Sequence, residues 1–225
     1  MSFGKNLQYL RQLSSNMTQE MLAEKLNVSR QTISKWEMDA ANPEMDKALE
    51  VCRIFNCSLD NLFREDMDKR SDAYSNLRVE DVAGFRYIAH TVISTEPESD
   101  AIGRMYKIAK ENGIDNPRVI GWDFPNLSQE QVNVFNMHGY TAALILPEDV
   151  KLDGVDIKEQ PAHKYVAIHI DRPFDNPFVT IPGAYHTLND FMRTNGLEQV
   201  NDEVIPCFET DGDSMDVYIA ISGKF

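Results

Sequence analysis

Apolar residues recur along the first third of the chain at helical spacing and along the rest mainly at strand spacing, with two helical interruptions. In residues 3 to 13 Leu7, Leu10 and Leu13 fall on one stripe, which predicts a first helix. Thr18 is an N-cap residue, and Met21, Leu22, Ala23 and Leu26 after it predict a second buried stripe. Asn27, Val28 and Ser29 break that pattern: Asn tolerates a left-handed backbone, Val28 can fill a corner, and Ser29 can cap a new helix. The helix that restarts there has only Ile33 and Trp36 as strong apolar residues. Arg30, Gln31, Thr32, Ser34 and Lys35 are donors and acceptors with little reason to be buried. Arg and Gln can make paired hydrogen bonds to guanine and adenine edges in a major groove. Residues 44 to 55, after Pro43, predict a fourth helix burying Ala48, Val51 and Phe55, and Ser58 caps a short fifth one. Five helices around one small core are expected.

These residues carry a family resemblance. Thr18 to Glu37, TQEMLAEKLNVSRQTISKWE, followed by a proline and a helix closing with SLDNLF, resembles the Cro/repressor-type helix-turn-helix of the Xre family over about residues 3 to 63. The resemblance implies that Gln19 touches the phosphate backbone, that Arg30, Gln31 and Lys35 face the bases, and that Glu37 pairs with Arg11. Ser29, Thr32 and Ser34 complete the expected DNA-contacting set. The family often has glycine where this chain has Asp39, which can take the same left-handed turn at some cost.

Residues 64 to 78 are dense in charge and lack apolar periodicity, so 67–78 reads as a linker between a head (1–66) and a second domain (79–225). Beyond it VAGFRYIAHTVIS, RVIGWDF and YTAALIL read as strands, with a helix DAIGRMYKIAKENG after the first. The order then returns in HKYVAIHI, GAYHTLNDFMRTNG, EVIPCFE and MDVYIAI. Arg86 to Ala89 answers Lys164 to Ala167, Asn112-Gly113 answers Asn195-Gly196, and Val119-Ile120 answers Val204-Ile205. Two β-α-β-β repeats predict an α+β domain with an antiparallel sheet, both helices on one face and the other face free to line a cleft. By strand alternation Ile205, Cys207 and Glu209 share a face, and that repeat match sets Trp122 and Phe124 beside them, with Tyr218 as neighbour. Tyr87 and Tyr165 hold equivalent positions. A carboxylate among aromatic faces favours a flat or lipophilic cation.

IPGAYHTLNDFMRTNG, IPCFE, DVYIAI and the duplication resemble the gyrase-inhibitor-like (GyrI-like) effector-binding domain of multidrug-sensing transcription activators. That resemblance implies that Glu209 sits in the pocket. Thr210-Asp211 stands after it where the family frequently has a tyrosine. Two alternatives come from other classes: a small-molecule hydrolase with Glu209 as general base and Tyr218 or Tyr165 as donor, and a protein-binding module. Gly212-Asp213-Ser214-Met215 is similar to the nucleophile region of self-cleaving repressors. The activating lysine such a site needs well downstream is missing, since only Lys224 follows, so these residues read as a hairpin turn.

The net charge of -14 argues against nucleic acid until the chain is divided. Residues 1 to 66 carry 8 basic and 10 acidic side chains, and the remainder 14 and 26. The acid therefore belongs mainly to the second domain. A head that is not basic predicts modest affinity and a homodimer on a two-fold operator of double-stranded DNA. No apolar run approaches the ~20 residues of a membrane span. Cys52, Cys57 and Cys207 lack metal-site spacing, so the reading is a cytoplasmic regulator with no cofactor or metal, and Cys52 and Cys57 serve core packing.

Overall fold

The computed structural model describes residues 3–14, 17–67, 74–152, 154–200 and 203–222. It divides into two compact units, one built from the described residues up to 67 together with Phe178–Glu198, the other from Tyr74 to Pro177 together with Gln199–Ser222.

The first unit is helical: α1 (Phe3–Leu13), α2 (Gln19–Leu26), α3 (Arg30–Glu37), α4 (Met45–Ile54) and α5 (Leu59–Phe63). Leu7, Leu10, Leu22, Leu26, Ile33, Val51, Phe55 and Leu62 are fully buried and form its core. The local signals act as expected. Thr18 Oγ1 accepts from Met21 N at 3.1 Å, Ser29 Oγ from Thr32 N at 3.1 Å, and Ser58 with Asn61 closes a capping box. Asn27 (φ 51) and Asp39 (φ 53) take the left-handed turns. Met21 departs from expectation: it is 48% exposed, because Leu22, Ala23 and Leu26 alone complete the buried face of α2. Gly4 is needed where it stands, since a Cβ there would strike the backbone carbonyls of Trp36 and Glu37 at the end of α3.

A helix from the second half of the chain, α8 (Pro177–Thr194), is grouped with this head rather than with the sheet domain in which its sequence repeat places it. Polar residues near its C-terminal end explain the attachment. The Tyr9 hydroxyl donates to Asp190 Oδ2 at 3.3 Å, and Asn195 Nδ2, just past the helix, donates to the terminal carbonyl of α1 at Leu13 (3.1 Å).

The second unit carries β1 (Tyr74–Val82), β2 (Phe85–Ser94), α6 (Pro97–Glu111), β3 (Arg118–Asp123), α7 (Gln129–Asn133), β4 (His138–Leu146), β5 (Lys158–Gln160), β6 (His163–Ile170), β7 (Glu198–Gln199, which pairs with β9), β8 (Cys207–Thr210) and β9 (Met215–Ser222). Its main antiparallel sheet runs β1-β6-β9-β8-β3-β4-β2-β5. Exchanging the two repeats reverses that order and leaves it unchanged, so a pseudo-two-fold passes between β3 and β8. Each repeat carries one leading strand more than the sequence pattern showed. β1 occupies residues 74–82, where 74–78 read as linker, while 68–73 of that linker lie outside the described residues. As an edge strand paired to β6 alone, β1 needs no apolar alternation, which is why charge masked it.

α6 packs on β2, β3 and β4 and buries Met105 and Ala109 against Ile88, Val119, Tyr140, Ala142 and Leu144. The opposite face presents Ile120, Ala143, Ile145, Tyr165, Ala167, Phe208, Tyr218 and Ala220, with Tyr87 and Trp122 half-buried beside them. Gly212 to Ser214 make the turn between β8 and β9, the place expected for the GDSM stretch.

Candidate DNA-reading helix and ligand cleft

α3 is held by one ion pair. Arg11, only 12% exposed at its side chain, donates from Nε to Glu37 Oε1 at 2.6 Å and from Nη2 to Oε2 at 3.1 Å, while Nη1 reaches the Met17 carbonyl at 2.7 Å. Gln19 Nε2 adds a third donor to Glu37 at 2.8 Å. One acidic residue at the end of α3 thereby ties together α1, α2 and α3, and bidentate geometry fixes angle as well as distance. Ile33 and Trp36 anchor the inner side of α3. The outer side is free: Arg30, Gln31 and Lys35 are exposed, and Thr32 and Ser34 are half-buried. Ser29 and Thr32 also share a hydroxyl contact of 2.9 Å, which stiffens the first turn. Gln19 is half-buried and spends one amide hydrogen on Glu37.

On the sheet, Tyr87, Trp122, Tyr165 and Tyr218 do share one face, the face turned away from α6. Phe124 lies past the end of β3, its ring beside Gly139. Glu209 is elsewhere. It pairs directly with Gly121, and paired residues point the same way, so its side chain stands on the α6 face while Trp122 points to the other. The Tyr140 hydroxyl lies over that same Gly121, in the space a Cβ would fill, and the Glu209 charge helps burial push the Tyr140 phenol up.

The sequence match failed by register. Tyr87 pairs with Ile145 as Tyr165 pairs with Ala220, and Ala143 pairs with Ile120 as Tyr218 pairs with Phe208. Ile120 therefore corresponds to Phe208, three residues beyond the partner that the Val204-Ile205 match assigns. Three is odd, so every β8 side chain changes face.

Tyr165 is fully buried beneath the cleft. Its hydroxyl donates to the Ile205 carbonyl at 2.9 Å and accepts from Gln160 Nε2 at 3.2 Å, while Gln160 Oε1 accepts from Ile205 N at 2.8 Å. This clasp fixes the wall of a cavity of about 270 Å³ lined by Tyr87, Trp122, Glu159, Gln160 and residues 203–206. Tyr218 is 8% exposed and stacks on Phe208 with ring centroids 4.5 Å apart. Its hydroxyl accepts from Arg78 Nη2 at 3.0 Å. Both phenols are thus engaged, and Glu209 lies across the sheet from them, so the hydrolase constellation of Glu209 with Tyr218 or Tyr165 is not assembled.

The helix-turn-helix family model matches residues 7–62. The chain is 44% identical over 62 residues to the HTH-type transcriptional activator BcrR of Enterococcus faecalis, a match covering 28% of this chain and 30% of BcrR. An HTH-type transcriptional regulator of Methanocaldococcus jannaschii is 40% identical over 57 residues, covering 25% of this chain and 85% of that protein. The chain belongs to the Xre-type helix-turn-helix transcriptional regulators. It spans less than a third of BcrR and about half of the Bacillus subtilis regulator ImmR. Among solved structures, a cryo-EM structure of an EcmrR–DNA complex matches over 92% of this chain and 99% of that chain, at 11% identity and a TM-score of 0.47.

The exposed outer side of α3 was legible from sequence, and the acidic residues along the cavity lining were not. Glu159 sits on the three-residue strand β5 and Glu203 in a turn with φ 67. Neither lies in a stretch long enough to show periodicity. The signal present was the parity of the strands, had the repeat been aligned on the Tyr87 and Tyr165 ladders.

Among the described residues no helix is long and apolar enough to cross a membrane.

Proposed function

We propose that the protein is a cytoplasmic, DNA-binding transcriptional regulator whose second unit is a GyrI-like sensor for a small organic cation. Arg30, Gln31 and Lys35 read base edges as α3 enters a major groove, and Gln19, Ser29, Thr32 and Ser34 hold the adjoining backbone and first turn. A head with 8 basic and 10 acidic residues gains little non-specific affinity, so two copies act together on a two-fold operator.

The observation that carries the sensor reading is the cavity itself, where two aromatic side chains, Tyr87 and Trp122, stand beside the acidic Glu203; Glu159 lines it through its strand, since it pairs with Arg86 and points to the other face. Aromatic faces with a carboxylate beside them select cations over neutral or anionic molecules, and about 270 Å³ suits a compact ligand. The ligand alters DNA affinity to the extent that it binds the free and DNA-bound states differently.

The test selects an operator from random duplexes and then measures operator affinity by fluorescence anisotropy with and without tetraphenylphosphonium. A shift that disappears in Trp122→Ala supports the proposal. Failure to enrich any sequence overturns the DNA reading, and a shift that Trp122→Ala leaves intact overturns the cleft assignment.

A further inference from the structure

The cleft face has a second aromatic recess, and the protein's own cation fills it. Arg78 lies on edge strand β1, just after a break in its pairing with β6 between Ser75 and Arg78, with Asn76 at φ 50. Such a bulge re-aims the side chain that follows it. Arg78 pairs with Ala167, which pairs with Tyr218, so the guanidinium is carried onto the cleft face. There its carbon lies 5.6 Å from the Tyr218 ring centroid. Nε donates to Glu80 Oε2 at 2.8 Å, and Nη1 reaches Asp216 Oδ1 at 3.4 Å. Tyr218 in turn stacks on Phe208, and the β3–β8 register carries Trp122 to Phe208's side. The Arg78 recess and the Trp122 cavity therefore lie on the same face of the sheet, with Tyr218 two strand spacings or about 10 Å from Trp122.

The recess has the composition of a cation site: an aromatic floor from Tyr218 and Phe208 and walls from Glu80 and Asp216. Two carboxylates face one guanidinium, and His169 Nδ1 also meets Asp216 Oδ1 at 3.1 Å, so Glu80 is the wall that keeps the recess attractive to positive charge. The parts are also accessible enough to exchange, with side-chain exposures of 24% for Arg78, 39% for Glu80 and 27% for Asp216. Arg78 also donates to the Asn76 carbonyl at 3.2 Å and to the Tyr218 hydroxyl at 3.0 Å, and each of these partly solvated contacts is individually weak, so an incoming donor can replace them one by one.

We propose that the Tyr218 recess on this face is a second binding site for an organic cation, occupied in the free protein by Arg78 as a tethered competitor that an incoming cationic group displaces. The displacement rests on the sensor reading above; the existence of the site does not. Arg78 sets the sensor's threshold, because apparent affinity is reduced by the fraction of molecules in which the site is filled.

Two measurements on the full chain separate these claims. In the first, Arg78→Ala and the milder Arg78→Gln are titrated with methylguanidinium and followed by thermal melting. Saturable recovery of stability that equal sodium chloride does not give is expected, and its absence in both variants overturns the site. In the second, tetraphenylphosphonium is titrated by calorimetry. Arg78→Ala is expected to bind about tenfold more tightly than wild type, with the gain lost in Arg78→Ala/Glu80→Gln. Unchanged or weaker binding in Arg78→Ala overturns the competitor role. Rescue by methylguanidinium without any tetraphenylphosphonium binding in wild type or variants leaves the site standing and refutes the lipophilic-cation sensor instead.

Discussion

Trp122 and Glu209 stand on opposite faces of the same sheet, although Glu209 is paired with Gly121, the residue next to Trp122. A carboxylate on the α6 side cannot meet a cation lying on the Trp122 side. The carboxylate available there is Glu203, since Glu159 pairs with Arg86 and points to the α6 face as well. Glu209→Gln is therefore expected to leave tetraphenylphosphonium affinity unchanged, and Glu203→Gln to weaken it about threefold, consistent with roughly 0.5–1 kcal/mol for one partly exposed charge. Calorimetry on both variants decides; a loss confined to Glu209→Gln would restore that residue to the site.

Arg11 and Glu37 give a stability prediction. Their side chains are 12% and 4% exposed, and Glu37 accepts from Gln19 as well. Removing one member of a buried pair leaves the other charge uncompensated, at a cost of about 3 kcal/mol. Arg11→Ala should lower the urea midpoint accordingly and loosen α3, so operator binding falls with it. Replacing both residues with apolar ones of similar size, Arg11→Met with Glu37→Leu, should recover much of the stability while DNA affinity stays low. Equal recovery of both would show that the pair has no part in orienting the reading helix.

How much of this could be read in advance depended on local chemistry. The head was legible because each boundary has its own marker: Thr18, Ser29 and Ser58 at helix starts, Asn27 and Asp39 at left-handed turns. The sheet was legible as a duplication, yet β1 was hidden because Glu80, Asp81 and Arg78 belong to an edge strand that needs no apolar face. The faces of β8 were misjudged because strand parity is unforgiving: a match wrong by three residues looks as good in sequence as the true one and inverts every side chain. Glu203 could not be found by pattern at all, since a turn position has no period.

Tyr218 gives a pH prediction. Burial, with Asp216 and Glu80 nearby, pushes its phenol up to about 12. A tyrosine in the unfolded chain ionises near ~10. The folded state thus keeps its proton in a window where the unfolded state has lost it, and stability present below pH ~10 is lost as pH rises toward the folded value. Between pH 8 and 11 the wild type should lose about 1 kcal/mol more than Tyr218→Phe. Denaturant titrations at the two pH values measure this; identical losses would mean that Tyr218 titrates alike in both states.

The exposed residues of α3 allow a test that separates two kinds of contact to DNA. Arg30 and Gln31 stand at the front of the helix, where paired donors can meet base edges, so Arg30→Ala or Gln31→Ala should cost about 1–3 kcal/mol at the selected operator and relax its sequence preference. Lys35 is a flexible point charge one turn further on. If it meets a base in the groove, Lys35→Ala loses specificity like the other two. If it meets phosphate, affinity falls evenly on all sequences, and the slope of log affinity against log salt drops by about 1. Lys35 stands one turn after Gln31 on the same exposed side of α3, which favours the first outcome. Anisotropy titrations of operator and scrambled duplex at two salt concentrations tell them apart, and retention of full operator affinity in all three variants would remove α3 from the interface.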